Sequence, residues 1–315
     1  MSEANYQRRP DEFALTLEAA KDSGELIQLP TGKAAYCIPA AGAVAGDRVA
    51  FKSTGVVNLP KATGIVLLAG GRAYWDHSAN NVTYKSVNDR DYFVGTVVAD
   101  AASGDTTVTV DLNEEPRYLI DLARDPFTTA IVLTAGTPAL NRRGGAHNMI
   151  FSTTNEAQKV DALSKEGFVV GANGIVEMRI NVVNDGAGTA ADANIGIASA
   201  THATDADSIA QHLFLHLDAN NTNINFQSKD GTTTVASTDS TVDYTEGTSF
   251  EVWFDLRTPS AVKIYVNGVR VLSGTTFDVS AAASAWKLLA HIEKTASTDA
   301  YEIDVDWLRA RIAEQ

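Results

Sequence analysis

Cysteine is almost absent from this chain of 315 residues, which contains only Cys37. A disulfide within one chain is therefore excluded. Cys37 lies in Ala34-Ala35-Tyr36-Cys37-Ile38, a predicted strand, where a buried and inert thiol is favoured over a nucleophile. The sequence also lacks any apolar run near the roughly 20 residues that a membrane-spanning helix needs. Its first residues, MSEANYQRRPDEF, lack the apolar centre of a secretion signal, so we expect no membrane partner and folding in the cytosol.

Positive charge is also scarce. The chain has 25 Lys and Arg residues against 39 Asp and Glu residues, a formal net charge of −14 and a pI near 4.8. Binding to nucleic acid depends on Lys and Arg contacts that release counterions from phosphates. Nucleic acid is therefore not an expected partner, whereas the outer surface of a particle suits this charge.

Motifs for nucleophilic, phosphate or metal chemistry are incomplete. There is no Gly-x-Ser-x-Gly elbow, and the Thr31-Gly32-Lys33 stretch lacks the first glycine of a phosphate loop. His212 and His216 lie in a predicted strand, where they would be about 13 Å apart, too far to share an ion. Asp218 begins a stretch similar to a calcium loop, but the twelfth position is Lys229 instead of Glu. We predict no catalytic residue, metal ligand or cofactor, and keep a weak calcium site at this loop as an alternative.

Short strands separated by turn residues dominate the first third of the chain. Tyr74-Trp75-Asp76 and Val82-Thr83-Tyr84 flank an Asn80-Asn81 turn and predict a hairpin. Residues 91–98 are rich in β-branched and aromatic side chains, and residues 106–111 alternate Thr with Val as in a half-buried strand. Together with strands predicted at 25–29, 34–38, 48–52 and 65–68, these segments indicate a small β-barrel over residues 24–116.

Tyr74-Trp75-Asp76, followed by a polar turn, a Val-Gly strand and Ala102-Ser103-Gly104-Asp105, resembles the small β-barrel family of tailed-bacteriophage capsid decoration, or cement, proteins. The resemblance covers roughly residues 24–113. It implies a protein that assembles as a homotrimer at or near threefold positions on the outside of the head, with the major capsid protein as its partner. The site of assembly would be the host bacterial cytoplasm.

Residues 1–23 are predicted to form an N-terminal arm. Phe13, Leu17 and Ala20 follow Pro10-Asp11-Glu12 at a spacing that predicts one apolar stripe on a short helix, and Arg8 and Arg9 are conspicuous in an acidic chain. We therefore take Arg8, Arg9, Phe13 and Leu17 as candidate capsid-docking residues. A leader without fixed structure is the alternative.

Residues 117–315 are predicted to form a second, all-β domain. Nine further strands are predicted between residues 177 and 308, which suits a two-sheet jelly roll. Asn267-Gly268 is the preferred type I′ turn, and it would pair Val266 with Val269 and Ile264 with Val271. The strand at 250–257, this hairpin and the final strand at 301–307 are similar to the concanavalin A-like, or laminin G-like, sandwich, a resemblance that covers about residues 127–312.

Aromatic residues give the second domain its one candidate binding surface. Trp253 and Tyr265 fall on the predicted polar faces of their strands, where exposed rings stack on sugars. Trp286 and Trp307 are predicted to lie in the core. The carboxylate pairs Glu251/Asp255 and Asp304/Asp306 have the residue types of a glycoside hydrolase, although solvated charge is the commoner meaning on strands of an acidic protein.

These observations favour a structural virion protein that is not an enzyme: a capsid decoration protein that binds the outside of a bacteriophage head as a trimer and stabilises it. The alternative is a glycan-binding, lectin-like module displayed on the phage particle, with surface glycans as partners. A glycoside hydrolase ranks third.

Overall fold

A computed structural model describes residues 12–38, 43–170 and 174–312 of the chain. The chain divides into two compact units, residues 1–116 and 117–315. Helical structure in the described ranges is restricted to two short 3₁₀ turns, Ala206–Ser208 and Pro259–Ala261. None of these described segments is a helix long and apolar enough to cross a membrane. The predicted all-β fold is confirmed.

The first unit contains nine strands. They are β1 (Glu12–Thr16), β2 (Leu26–Gln28), β3 (Ala34–Cys37), β4 (Arg48–Lys52), β5 (Val56–Pro60), β6 (Arg72–Asp76), β7 (Asn81–Thr83), β8 (Tyr92–Val97) and β9 (Thr107–Leu112). The predicted hairpin is β6–β7, and the alternation predicted from Thr107 to Val110 is confirmed because Val108 and Val110 are buried. Strand β5 was not predicted, and the strand predicted at 65–68 is wrong: Leu67 makes only an isolated bridge to Ala101.

Five of these strands close into a barrel. Their order is β5-β9-β8-β6-β7, and the chain just after β5 meets β7 through a parallel bridge between Lys61 and Val82. The amide of Ala62 donates to the carbonyl of Val82 at 2.9 Å. Buried residues of all five strands, among them Leu59, Ala73, Val82, Val94 and Val110, fill the interior. The bridge brings the two end strands together, which agrees with the predicted small β-barrel. The strands predicted at 25–29, 34–38 and 48–52 lie instead in a separate sheet.

The remaining four strands of this unit form an antiparallel sheet in the order β1-β4-β3-β2. The helix predicted around Phe13 and Leu17 is wrong, because Glu12–Thr16 is a strand whose residues pair with β4 from Lys52 to Arg48. The described part of the predicted 1–23 arm is therefore part of a sheet. Phe13 stacks on Phe51 with ring centroids 6.1 Å apart, and Leu17 is buried in the same cluster as Val49 and Phe51. The apolar residues that were spaced for a helix therefore pack in a sheet, where β1 takes its hydrogen bonds from pairing with β4.

Asn113 joins the sheet to the barrel. It follows β9 with φ at +59°, a left-handed conformation that Asn tolerates better than most residues. Its side-chain oxygen accepts from the amide of Ala34 at 2.8 Å, and its side-chain nitrogen donates to the carbonyls of Ala34 at 2.9 Å and Ser53 at 2.7 Å. One amide side chain thus satisfies three main-chain groups from the ends of β3 and β4.

The second unit is built from fifteen strands. They are β10 (Ile120–Asp121), β11 (Phe127–Val132), β12 (Ala139–Arg143), β13 (Ala146–Ile150), β14 (Glu156–Phe168), β15 (Gly174–Asn184), β16 (Ala191–Ala198), β17 (Gln211–Asp218), β18 (Asn223–Asp230), β19 (Thr234–Asp243), β20 (Phe250–Asp255), β21 (Lys263–Val266), β22 (Val269–Val271), β23 (Trp286–Ser297) and β24 (Glu302–Ile312). The nine predicted strands are all present, whereas β10, β12, β13, β14 and β19 were missed.

These strands form two antiparallel sheets. One has the order β12-β13-β24-β15-β20-β21-β22, with β10 also paired to β24, and the other has the order β11-β14-β23-β16-β17-β18-β19. Their inner faces share one large core, in which Phe226 of β18 meets Phe254 of β20 edge to face at 6.0 Å between centroids. The predicted two-sheet sandwich is confirmed.

Two hairpin turns of the second unit use residues with positive φ. Asn267 and Gly268 have φ of +51° and +77°, and Val266 pairs with Val269 and Ile264 with Val271, as predicted. The hairpin between β12 and β13 turns at Gly144 and Gly145, whose φ values are +59° and +98°.

A β-bulge in β24 reverses the predicted position of Trp307. Opposite β15, Arg179 pairs with Trp307 and Ile180 with Val305, so Asp306 is an extra residue. The alternation shifts by one residue there, because a bulge places two residues opposite one. Val305 and Leu308 are both fully buried in the core, while Trp307 lies on the opposite face and is half-buried. The prediction that Trp307 is a core residue is wrong, and that for the fully buried Trp286 is confirmed.

Candidate functional site

The candidate docking residues divide into two pairs. Arg8 and Arg9 lie outside the described residues. Phe13 and Leu17 contribute to the small core beneath the four-stranded sheet, and Leu17 is only 8% exposed. Phe13 is half-buried against Phe51. Leu17 in particular is packed inside its own unit.

The aromatic pair predicted to stack on sugars is not exposed. Trp253 and Tyr265 lie side by side on β20 and β21, with ring centroids 6.1 Å apart, but they are only 9% and 5% exposed. The indole N–H of Trp253 donates to Glu251 Oε2 at 3.4 Å. The alternation placed both rings correctly on the outer face of the sheet, but it cannot report how that face is covered.

That outer face carries a dense set of charged and aromatic side chains. Glu177 is buried and accepts from Arg311 Nε at 2.6 Å and from the hydroxyl of Tyr118 at 3.2 Å, and its Oε2 lies 3.5 Å from Arg309 Nε. Burial opposes ionisation, but the two arginines outweigh it and lower the pKa of Glu177. The guanidinium of Arg309 also lies 4.4 Å from the centre of the Trp307 ring. This arrangement neutralises buried charge and orders the face.

The opposite sheet has a second polar layer, covered by the loop at residues 199–210. Lys159 donates to Asp161 Oδ2 at 2.9 Å and to the carbonyl of His202 at 2.8 Å, and the Thr201 hydroxyl also donates to Asp161. Lys159 and Asp161 are 4% and 2% exposed at their side chains. The loop is therefore tied to β14 by hydrogen bonds with a buried ion pair. Removing either member of the pair would leave the other charge uncompensated.

His212 and His216 lie in this layer with different roles. Burial lowers the pKa of His212 to about 4, and its ring stacks on Phe214 at 4.4 Å. Burial also opposes protonation of His216, but its hydrogen bond to Asp218 and the nearby charge of Asp207 raise its pKa overall. His216 Nδ1 is 2.9 Å from Asn194 Oδ1. The pair acts as separate structural groups in the strand that the sequence predicted.

Asp192 and Glu293, which sequence reasoning missed, are directly opposite each other in β16 and β23. Burial, and then the negative charge of Glu293, raise the pKa of the Asp192 carboxyl group to about 8. Burial and the charges of Asp205 and Asp207 raise the pKa of Glu293 to about 8, although its hydrogen bonds with the Ala206 amide and Asp192 act in the opposite direction. Glu293 Oε2 also accepts from the amide of Ala206 at 3.0 Å and contacts His291 Nε2 at 2.7 Å. Two adjacent carboxyl groups in a buried site share a proton instead of both ionising. In the sequence, only the alternation of charged with apolar residues in β16 and β23 could have indicated these two carboxyl groups.

This shared proton makes stability depend on pH. A carboxyl pKa that is raised on folding means that the folded state holds the proton more tightly. The contribution of this pair to stability is therefore greatest below about 4 and is lost progressively as pH rises towards about 8. Asp192→Asn removes the need for that proton. We expect the variant to gain about 1–2 kcal/mol relative to the wild type between pH 5 and pH 8.

Urea unfolding at each pH measures the effect, and Asp243→Asn, an exposed position on β19, is the matched control. A difference between Asp192→Asn and the wild type that stays constant from pH 5 to pH 8 would contradict the shared proton.

Three other carboxylates that were considered as hydrolase candidates also bind neighbouring side chains of the second unit. Asp255 forms a two-bond contact with Arg257 at 2.7 and 2.8 Å, Asp304 accepts from Asn148, and Asp306 pairs with Arg179 at 3.2 Å. Within the described ranges, no group of three or more His, Cys, Asp or Glu side chains is arranged to hold a metal ion. Cys37 is buried, as predicted.

Comparison with known proteins gives a family for the first unit. The family model of the phage cement proteins matches residues 10–112, which include the four-stranded sheet and the barrel up to the end of β9. No curated protein matches the chain.

Several solved structures are similar to the second unit in fold. The carbohydrate recognition domain of Emp47p has 14% identity and a TM-score of 0.43, covering 62% of this chain and 94% of that one. The conserved carbohydrate esterase of the Shiga toxin-encoding bacteriophage phi24B has 12% identity and a TM-score of 0.39, covering 63% of this chain and 99% of that one. A protein of unknown function from Shewanella oneidensis MR-1 has 15% identity and a TM-score of 0.38, covering 59% and 80%. At these values the similarities carry no argument about ligands or activity.

The segment that matches the family model is also the segment that forms the sheet and the barrel of the first unit. The matched residues are those that build the closed barrel and the sheet beside it, and the sequence motifs around Trp75 and Gly104 lie in that barrel. Residues 10–112 of this chain therefore match the phage cement protein family in sequence.

Proposed function

We propose that the protein is a capsid decoration protein that binds the outside of a bacteriophage head as a trimer, contacts the major capsid protein through its first unit and stabilises the shell. The observation that carries this proposal is the cement family match over residues 10–112. The formal net charge of −14 supports it, because strongly acidic surfaces keep decorated particles apart in solution.

The edge strand β1 of the first unit is a place where an added strand or chain segment fits. The barrel of this unit is closed, but the four-stranded sheet ends at β1, which pairs only with β4 among the described strands. An edge strand presents unpaired main-chain groups to a partner. Residues 1–11 lead directly into this edge and include Arg8 and Arg9. Attraction between these two cations and an acidic patch of the shell gives the segment its docking role, while Phe13 and Leu17 hold the sheet that presents it.

Stabilisation of the head follows from mass action. A ligand that binds the assembled shell and not the free subunit stabilises the assembly by about 2.7 kcal/mol per site at a hundredfold excess over its dissociation constant. Many copies bind one head, so modest contacts at each site are sufficient. No chemical reaction is required of the protein.

The test uses heads purified from phage in which this gene is deleted. Arg8→Ala combined with Arg9→Ala should weaken binding to these heads roughly two- to thirtyfold at low salt, since exposed ion pairs contribute about 0.2–1 kcal/mol each. The difference should shrink as salt screens the charges. Lys33→Ala combined with Arg48→Ala removes two exposed cations elsewhere in the same unit and is the matched control.

Co-sedimentation with heads measures binding, and the temperature at which heads release DNA measures stabilisation. If the wild-type chain does not sediment with the heads, or if saturated and bare heads rupture at the same temperature, the cement proposal is wrong. Binding to host surface glycans on an array, without binding to heads, would favour the glycan-binding alternative. The burial of Trp253 and Tyr265 counts against that alternative, because neither ring is exposed for stacking.

A further inference from the structure

The edge strand β11 differs from the other sheet edges of the second unit in its surface. It pairs with β14 on one side, and no strand within the described ranges pairs with its other side. Ile131, Val132 and Leu133 at its end are 39%, 40% and 45% exposed. Neighbouring residues of a strand point to opposite faces. The edge is therefore apolar on both faces.

Charge is missing from this edge and present on the others. No Asp, Glu, Lys or Arg occurs from Pro126 to Asn141. The edge strand β19 carries Asp239 and Asp243, β22 carries Arg270, and β12 ends with Arg142 and Arg143. Proteins use charged residues on edge strands to prevent pairing with other chains. Three edges of the sandwich have this protection, and β11 lacks it.

The end of β11 is also held in a fixed shape. The carboxylate of Glu156 accepts from three consecutive main-chain amides just beyond the strand, those of Thr134 at 3.0 Å, Ala135 at 2.7 Å and Gly136 at 2.6 Å. A hydrogen bond from Gln158 and these amides lower the pKa of Glu156 to about 2, so the carboxylate stays charged. A strand that is already ordered loses less entropy when it pairs.

We propose that β11 pairs with β11 of a second copy of this chain, antiparallel about a twofold axis at Ala130, joining two seven-stranded sheets into one. In this register Phe127 faces Leu133 of the second copy, and Thr128 faces Val132. An identical strand is complementary to itself only in this isologous arrangement. A second copy is the occupant because each copy has a net charge of −14, and β11 itself contains no charged residue, so two such strands can pair without acidic side chains of one facing those of the other.

Such a contact is small, and contacts well below about 1,000 Å² are weak in free solution. On a head, however, chains bound at neighbouring positions have a high effective concentration, so a weak edge contact becomes occupied. The proposal goes beyond the cement function: β11 would link the second units of adjacent decoration proteins. The self-association itself does not depend on binding to a head.

Sedimentation velocity of the full chain from about 5 to 200 µM tests the pairing. The wild-type chain should double its mass with rising concentration, and Ile131→Lys, which places a cation on the edge, should remain at the lower mass throughout. The test compares the mass at high concentration with the mass at low concentration of the same chain, so it holds whether the first unit is monomeric or trimeric. Val269→Lys, at a position 48% exposed on the edge strand β22, should behave like the wild type. Equal masses for the wild type and Ile131→Lys at every concentration would overturn the proposal.

A second measurement fixes the register and does not depend on the stability of Ile131→Lys. Ala130→Cys places two cysteines opposite each other at the twofold axis, where antiparallel strands bring Cα atoms about 4.5–5.5 Å apart, within reach of a disulfide. Mild oxidation should convert this variant to disulfide-linked dimers, while Ser237→Cys on β19 should stay monomeric in denaturing gels. The native Cys37 is 1% exposed and does not compete. Equal crosslinking of the two variants would show that β11 is not a specific contact.

Discussion

Gly95→Ala should unfold the first unit and abolish its binding to phage heads. Gly95 lies in β8 with φ at +151°, a conformation that residues with a Cβ rarely adopt, and an added Cβ would lie 2.0 Å from the carbonyl oxygen of Asp111. The strained backbone alone costs about 1–3 kcal/mol, and the overlap with β9 adds to it because a main-chain atom of a paired strand cannot move aside. We expect a loss of about 3 kcal/mol or more.

Gly104→Ala is the matched control, because a Cβ at Gly104 meets no atom within 4 Å. Calorimetry of the full chain and co-sedimentation with heads measure the two consequences. Gly104→Ala should match the wild type in both assays. If Gly95→Ala keeps the wild-type unfolding temperature, the close approach of β8 and β9 is not as described.

Glu177→Gln should destabilise the second unit by about 3–5 kcal/mol, the usual result of removing one partner from a buried ion pair. The carboxylate lies between Arg309 and Arg311, which are 5% and 2% exposed, and the neutral amide cannot offset their charge. For a unit of this size the change corresponds to a fall of roughly 10 °C in Tm.

The control is Glu166→Gln, the same change at an exposed position on β14. Thermal unfolding followed by near-ultraviolet circular dichroism reports on the packing of Trp253 and Trp307 around this face. A Tm of Glu177→Gln within about 2 °C of the control would show that solvent screens these charges and that the ion cluster contributes little.

The sequence predicted those parts of the fold that depend on local chemistry. The Asn267-Gly268 turn sets its own register, because both residues adopt positive φ and the flanking valines then face each other. The alternation in β9 predicted its buried face for the same reason. By contrast, Lys159 and Asp161 are charged residues that are buried in β14 where the 199–210 loop covers them. Periodicity cannot indicate a covering loop.

The errors at the candidate sites also have physical causes. Phe13 and Leu17 are spaced for a helix, but pairing with β4 supplied the hydrogen bonds and Phe51 supplied the contact. One inserted residue, Asp306, moved Trp307 from the predicted core to the outer face. Trp253 and Tyr265 were assigned to the correct face, but their burial depends on long-range packing that no short window of sequence contains.

Asn113 makes the sheet and the barrel of the first unit fold as one cooperative body. Its hydrogen bonds to Ala34 connect positions 79 residues apart, so they form only after both parts have nearly reached their final arrangement. Contacts at such long sequence separation slow folding, because the chain loses the entropy of loop closure before the contact forms and stabilises the structure. In the finished unit the same bonds couple local opening of the sheet to opening of the barrel. The edge strand β1 therefore shares its resistance to unfolding with the strands of the barrel.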